Sequence, residues 1–198
     1  MSNNFISILT AAIQTKNPKP NSKTVVDALL TAEKTNHQNK QKYEFNQLIG
    51  SWRLHFITGT KNSRQKFGNF IGAGFYLPPF IQININYSPQ ENSQAQTEIK
   101  GKVENQVKFG LVELSVTGPI KFLSKKNILA FDFIHLSLSI LGKKAYQTDM
   151  RSGTKSEADF YTTNIKQQAF FSYFLVTEEF IAARGRGGGL ALWKKNSY

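Results

Sequence analysis

From residue 48 onward, apolar and polar residues alternate in a succession of short segments, and no helical pattern separates one segment from the next. In the clearest case, residues 80–87, isoleucines occupy every second position and amide side chains fill the positions between them. A period of two predicts a strand with one apolar face. About eight or nine such segments with turn residues between them predict an antiparallel barrel or sandwich and disfavour a parallel α/β sheet.

Two of these segments change phase along their length. Between Val107 and Thr117 the apolar positions shift by one residue beside Gly110, which predicts a β-bulge that would help a sheet to curl. Residues 128–141 shift in the same way, and they fit either one long bent strand or a strand and a turn. The predicted fold class is therefore mainly β, a closed antiparallel barrel of about eight strands.

The first 46 residues follow a different pattern. Helices are predicted over residues 3–16 and 22–36, because apolar positions have helical spacing on both sides of Pro18 and Pro20, which interrupt a helix. We therefore predict an N-terminal helical hairpin within residues 1–46 and a barrel domain over residues 47–195. The sequence leaves open whether this hairpin packs beside the barrel or covers its mouth.

The chain of 198 residues carries 25 Lys and Arg against 13 Asp and Glu, a formal net charge of +12. These cations are spread along the chain rather than gathered in a tail, so the positive field is diffuse. Nucleic acid and an anionic membrane surface are both candidate partners for such a field. A solvated surface that keeps the protein in solution explains the charge equally well.

The expected location follows from what the sequence lacks. It contains no cysteine, which excludes disulfides and thiol catalysis. Residues 1–15 lack the basic start and cleavage site of a secretory signal, and no segment reaches the ~18 apolar residues of a transmembrane helix. We expect a protein on the cytoplasmic side that is soluble or peripherally attached to a membrane, and not secreted.

The sequence contains none of the common catalytic or metal-binding motifs. His37, His55 and His135 lie far apart, without the spacing of metal ligands, and neither a nucleophile elbow nor a phosphate loop is present. We predict no catalytic residues, no metal site and no required cofactor. The missing motifs do not by themselves exclude an enzyme.

The segment Arg184 to Gly189 (RGRGGG) interrupts the last pair of strand patterns. It resembles a single RNA-binding Arg-Gly element, but its place between strands favours a glycine-bearing hairpin turn. In a closed barrel Arg184 would then lie on Trp52 of the first strand in a cation–π contact. We predict that Gly50, Trp52, Arg184 and Gly185 close one end of the barrel, and that any ligand enters at the other.

Several groups of residues, taken in order, resemble those of the plastid lipid-associated proteins, or fibrillins. These are residues 50–54 (GSWRL), residues 102–109 (KVENQVKF) and residues 178–181 (EEFI) followed by Arg184, Gly185 and Leu190. The resemblance spans residues 48–194. It implies a lipocalin-like, or calycin, barrel that associates peripherally with photosynthetic-type membranes such as the thylakoid. It also implies binding of a carotenoid, a quinone or a fatty acid.

A carrier or scaffold for small apolar molecules at a membrane surface is the leading functional hypothesis. The inward strand positions supply the predicted cavity residues, although core packing explains each of them as well. They are Phe56, Ile83, Ile85, Phe109, Phe131, Phe133 and Phe174. The aromatic, glycine-rich segment 67–79 and nearby cations supply the predicted docking residues on an anionic membrane. They are Arg64, Lys66, Phe70, Phe75, Tyr76 and Leu77.

Two alternatives stay open at this point. The same barrel could be a chaperone or lyase for a bilin or another tetrapyrrole, whose propionate groups the positive charge would suit. The sheet could also bind single-stranded nucleic acid, which stacks its bases on aromatic side chains. Nucleic acid is disfavoured because the aromatic residues alternate as core residues do. The sequence does not indicate a protein partner.

Overall fold

The computed structural model describes residues 4–14, 18–59, 74–90, 99–150 and 154–196. Two N-terminal helices are followed by strands, with a third helix between the eighth and ninth of these. The helices are α1 (Asn4–Ile13), α2 (Ser22–Asn39) and α3 (Thr154–Thr162). The strands are β1 (Gly50–Ile57), β2 (Phe75–Tyr76), β3 (Ile81–Pro89), β4 (Ile99–Phe109), β5 (Val112–Leu123), β6 (Ile128–Phe131), β7 (His135–Ile140), β8 (Lys143–Asp149), β9 (Ala169–Val176), β10 (Phe180–Gly185) and β11 (Leu190–Lys195).

Eight strands close into a barrel in the order β1, β3, β4, β5, β6, β9, β10 and β11. Each neighbouring pair is antiparallel, and β11 pairs with β1 to complete the ring. The predicted fold class, a mainly β protein with an antiparallel barrel of about eight strands after a helical pair, is confirmed. This closure leaves the ring itself without a free strand edge.

Strand β5 has two different neighbours on the side away from β4. Residues 120–123 pair with β6, whereas residues 112–117 pair with β7. The chain crosses from β6 to β7 directly against Gly118, where an added Cβ would lie 2.1 Å from the carbonyl oxygen of Asp132. Residues 128–141 are therefore two strands with a bend between them. Beyond this bend, β7 and β8 extend the sheet past the barrel.

The predicted bulge beside Gly110 is wrong. The phase change there is a two-residue hairpin turn, because Phe109 at the end of β4 pairs with Val112 at the start of β5. Gly110 has a φ of 57°, a value that glycine adopts freely in such turns. The shift in alternation therefore marks a reversal of the chain and not an extra residue within one strand.

The helical pair packs beside the barrel and not over its mouth. Leu9 of α1 and Leu29 of α2 are fully buried in one apolar cluster with Phe56, Phe174 and Leu192 on the outer faces of β1, β9 and β11. Helix α2 begins after Asn21, whose side chain accepts a hydrogen bond from the Thr24 amide at 2.9 Å. Among the described helices, none is both long and apolar enough to cross a bilayer.

Candidate ligand site at the open end of the barrel

One end of the barrel is filled by large side chains. Trp52 is fully buried there, and its Nε1 donates a hydrogen bond of 2.8 Å to the carbonyl of Leu48. Above it, the hydroxyl groups of Tyr87 and Tyr173 are 2.8 Å apart and share a hydrogen bond across the interior. Burial raises the pKa of both phenols, so both stay uncharged over the physiological range. No ligand can enter from this end without displacing these groups.

Lys195, and not Arg184, is the cation that lies over Trp52. The pairing of β1 with β11 sets Lys195 opposite Trp52 on the same face, and its Nζ is 5.3 Å from the centroid of the indole ring. Arg184 follows Ala183, which faces the barrel interior, and successive strand residues point to opposite faces. The guanidinium of Arg184 therefore lies outside the barrel.

Outside the barrel, Arg184 binds Glu33 of α2. Arg184 Nε is 2.6 Å from Glu33 Oε1, and a second hydrogen bond joins Nη2 to Oε2, which makes the pair bidentate. The hydrogen bonds that Arg184 donates to the Glu33 carboxylate raise the pKa of Arg184. In addition, Arg184 Nη1 donates to the carbonyl of Gly188 at 2.6 Å. Arg184 thus fastens the helical pair to the barrel and braces the turn that contains Gly185.

Arg184→Ala is expected to lower the free energy of unfolding by about 1–2 kcal/mol, because Glu33 loses a partly buried partner. Chemical denaturation of the single variants and of the double variant with Glu33→Gln would measure the coupling between the two side chains. The exposed pair of Lys23 and Asp27 on α2 is the matched control. Lys23→Ala should change stability by less than about 0.5 kcal/mol. Additive effects of Arg184→Ala and Glu33→Gln would contradict the assignment.

At the opposite end, an aromatic series leads from the interior to the rim. The ring of Phe171 on β9 stacks on that of Phe131 on β6, with centroids 5.0 Å apart and 27° between the planes. Phe131 contacts Phe133 at 5.3 Å, and Phe171 meets Trp193 edge to face at 5.3 Å. Phe131, Phe133 and Phe171 are only partly buried. The open end therefore presents aromatic surface that the fold does not cover completely.

A cleft of about 650 Å³ adjoins this series, between the barrel rim and α3. Phe131 and Phe133 form its apolar wall on the barrel side, and Phe160 of α3 faces them. Lys121 holds α3 in place, because its Nζ donates to the carbonyls of Phe160 at 3.3 Å and Thr163 at 2.8 Å. A cation at the C-terminal carbonyls of a helix is favourable. The cleft thus has fixed walls on both sides.

The polar lining of the cleft is already largely engaged in hydrogen bonds. Arg186 Nη1 donates to the carbonyls of Gln167 and Gln168 at 2.9 and 3.1 Å. Asp132 accepts a hydrogen bond from the Phe133 amide at 2.9 Å, and Asp159 is the second carboxylate of the lining. Among the described lining residues, acidic groups therefore outnumber basic ones. This balance suits an uncharged ligand better than an anionic one.

The structure divides the seven predicted cavity residues among three places. Four of them, Ile83, Ile85, Phe131 and Phe133, belong to the cluster inside the barrel. Phe109 lies beyond the barrel, at the end of β4, and is 61% exposed. The other two, Phe56 and Phe174, lie on the outer face against the helical pair. Only the first four are therefore placed where a ligand in the barrel could reach them.

A bulge explains why Phe56 faces outward, whereas ordinary alternation explains the orientation of Phe174. The pairing of β1 with β11 shifts between Leu54 and Phe56, so His55 is an extra residue in β1. One extra residue reverses the alternation of every residue that follows it. Phe174 directly follows Tyr173, which lies in the interior cluster, and neighbouring strand residues point to opposite faces. The corrected position of both phenylalanines is the interface between barrel and helices.

Of the predicted docking residues, Arg64, Lys66 and Phe70 lie outside the described residues. Phe75 on β2 is 40% exposed. The ring of Tyr76 packs on Phe56 with centroids 5.1 Å apart, and its hydroxyl donates to the carbonyl of Pro20 at 2.7 Å. Leu77 packs against the interior cluster. Tyr76 and Leu77 are therefore engaged within the fold, and Phe75 is the exposed member of these three.

The histidines occupy separate surroundings. Burial lowers the pKa of His55 to about 4, with a further contribution from the charge of Arg53, so this ring is neutral at physiological pH. His135 pairs through Nδ1 with Asp149 at 2.6 Å across β7 and β8. Within the described ranges, no group of three or more His, Asp and Glu side chains is arranged to hold a metal ion.

Comparison with known proteins adds nothing to this description of the site. No protein-family model matches the chain, and no curated protein matches it significantly. The resemblance to fibrillins stays a prediction, and the barrel with its open end is the feature that bears on function.

Proposed function

We propose that this protein binds a small, largely apolar molecule at the open end of its barrel and carries it at the surface of a photosynthetic-type membrane, as a fibrillin-like lipid-associated protein. The observation that supports this proposal is the partly exposed aromatic series of Phe131, Phe133 and Phe171 beside the cleft of about 650 Å³. Barrels of about eight strands hold one small ligand, and ligand pockets commonly measure ~300–1,000 Å³.

The aromatic lining favours a flat or conjugated ligand. Stacked rings attract other π-systems by more than their buried area alone. Because Trp52, Tyr87 and Tyr173 fill the other end, a ligand can enter only part of the barrel. We therefore expect a quinone ring or the end of a carotenoid to occupy this space, with a long tail lying outside it. A fatty acid is the third candidate, but the acidic lining of the cleft suits its carboxylate less well.

The other two functions receive less support from the structure. A bilin carries two propionate groups, and the described lining of the cleft offers Arg186 against two aspartates. Single-stranded nucleic acid would need stacking aromatic residues on a sheet face. The outer face of β3 and β4 instead carries Asn84, Asn86 and Glu104, and Asn86 donates to Glu104 at 3.1 Å.

Phe131→Ala is expected to weaken ligand binding by roughly tenfold, because one stacking ring is lost. Fluorescence titration with a short-chain quinone, a carotenoid and a fatty acid, in parallel, would measure the change and rank the ligands. Phe131→Leu keeps most of the buried volume without the ring, so it separates stacking from a loss of folding. Leu30→Ala, at an exposed position on α2, is the control.

Failure of the wild-type protein to bind any of the three ligands would contradict the proposed function. Extraction of the purified protein followed by mass spectrometry gives an independent answer, because a carrier should retain part of its cargo. A tetrapyrrole in the extract would favour the chaperone or lyase instead.

A further inference from the structure

The sheet ends in two adjoining hairpin turns that project beyond the open end of the barrel. Val112 of β5 pairs with Ile140 of β7, and the backbone N–H of Leu141 donates to the carbonyl of Leu111 at 2.9 Å. We call residues 108–114 and 140–147 the hairpin tip. Leu111 and Leu141, at the ends of the two turns, are 66% and 67% exposed. The tip is therefore one coupled surface with an apolar end.

Other apolar side chains extend this surface. Phe109 is 61% exposed, and its ring lies 6.0 Å from that of Phe80, which is 64% exposed. Leu114 and Tyr146 are also exposed, on the face of the sheet that continues the lining of the barrel. The apolar surface thus runs from the tip toward the aromatic rim. Contiguous exposed apolar surface of this kind marks a site of contact with a protein or a membrane.

The backbone at Leu141 has a conformation that leucine rarely adopts. The stability of the fold therefore does not account for a leucine at this position. Leu141 has a φ of 54° and Gly142 a φ of 74°, the two positive values of a type I′ turn. Such turns favour Asn-Gly, and a leucine is disfavoured in the left-handed conformation. Its side chain is exposed, so it gains little from packing in return. An asparagine would suit the turn better, which indicates that the leucine serves a contact outside the chain.

The net charge of the tip indicates what kind of surface it would contact. The tip contains Lys108, Lys143 and Lys144 against Glu113, which gives a net charge of +2. Glu113 pairs directly with Lys108 across the strands, so the excess charge lies on Lys143 and Lys144, both exposed and next to Leu141. Apolar side chains that insert and nearby lysines that meet acidic headgroups together form a two-part membrane anchor.

We propose that the hairpin tip inserts into the surface of an anionic lipid bilayer, with Leu111 and Leu141 among the acyl chains and Lys143 and Lys144 at the headgroups. This inference rests on the proposed function, since a carrier of apolar molecules must reach the membrane. The tip and the aromatic rim lie at the same end of the barrel. A bound protein would therefore turn its ligand site toward the bilayer.

Vesicle flotation tests the proposal. Wild-type protein should float with vesicles of phosphatidylcholine mixed with an equal amount of phosphatidylglycerol, and less with phosphatidylcholine alone. The double variant Leu111→Ser, Leu141→Asn should bind the mixed vesicles roughly tenfold more weakly or worse, because its apolar end is lost. Lys143→Gln with Lys144→Gln should remove the preference for the anionic lipid. Leu30→Ser, at a 43% exposed position on α2, is the matched control and should bind like the wild type.

Insertion depth can be measured directly. Both native tryptophans, Trp52 and Trp193, are buried, so a Leu111→Trp variant carries a single exposed indole. Brominated lipids should quench its fluorescence and leave the wild-type signal nearly unchanged.

The outcomes separate this inference from the proposed function. A double variant that loses vesicle binding but still binds a short-chain quinone, and melts at or above the wild-type temperature, supports the inference. Equal flotation of the double variant and the wild type would overturn it, even if ligand binding is intact. A wild-type dimer that dissociates on the same substitutions, without flotation, would assign the tip to self-association and overturn it as well.

Discussion

Trp52→Ala should lower the free energy of unfolding by about 3–5 kcal/mol, one of the two largest effects expected in this protein. The indole is fully buried at the closed end of the barrel, and the variant would leave a cavity and an unpaired Leu48 carbonyl. Urea denaturation followed by circular dichroism would measure the change. Because the ligand site lies at the other end, any variant that still folds should bind its ligand normally.

Lys195→Ala is the matched control for the closed end. It removes the cation over Trp52 but leaves the indole in place, so its effect should be about 0.5–1 kcal/mol. If Trp52→Ala unfolds at the same urea concentration as the wild type, Trp52 does not seal the barrel. A larger loss of stability from Lys195→Ala than from Trp52→Ala would also contradict the sealing role of Trp52.

Gly118→Ala should destabilise the protein by roughly 3 kcal/mol, at the upper end of overpacking effects. Its Cβ would lie 2.1 Å from the backbone carbonyl oxygen of Asp132, and a backbone atom cannot move aside as a flexible side chain can. The bend between β6 and β7 would have to open. Since Phe131 and Phe133 flank Asp132, ligand affinity should fall together with the melting temperature.

Gly185→Ala is the control for this substitution. An added Cβ there would meet its nearest neighbour, a ring carbon of Phe171, at 3.8 Å, an ordinary contact. Its stability should stay within about 0.5 kcal/mol of the wild type. If Gly118→Ala behaved in the same way, the close crossing of β5 by the bend would be contradicted.

Local patterns in the sequence predicted much of the architecture. The period of two from residue 48 onward predicted the strands, and the pair of prolines predicted where the first helix gives way to the second. The helices differ from the prediction at their ends: α1 ends at Ile13, and α2 continues to Asn39. There Lys40 takes a left-handed conformation and its N–H bonds the Asn36 carbonyl. These features depend on neighbours within a few residues of each other.

The candidate site was predicted only in part. Alternation in the sequence predicted Phe131 and Phe133. Phe171, Phe160 and Arg186 join the site through strand pairings and packing that no local pattern predicts. Phe171 and Phe174 lie three residues apart in the same strand and therefore point to opposite faces, and only the pairing of β9 with its neighbours decides which ring faces the interior. No sequence pattern predicted helix α3, because this helix packs mainly through Phe160 and through hydrogen bonds from Lys121.

By itself, the sequence determined that this chain forms about eight antiparallel strands with a helical pair before them, since alternation and turn residues act locally. Only the tertiary structure decided that Lys195 covers Trp52, that Arg184 binds Glu33, and that the hairpin tip stands exposed beyond the rim. Each of these depends on the register in which the strands pair, because a shift of one residue exchanges the two faces of a strand. Contacts between residues far apart in the chain fix that register.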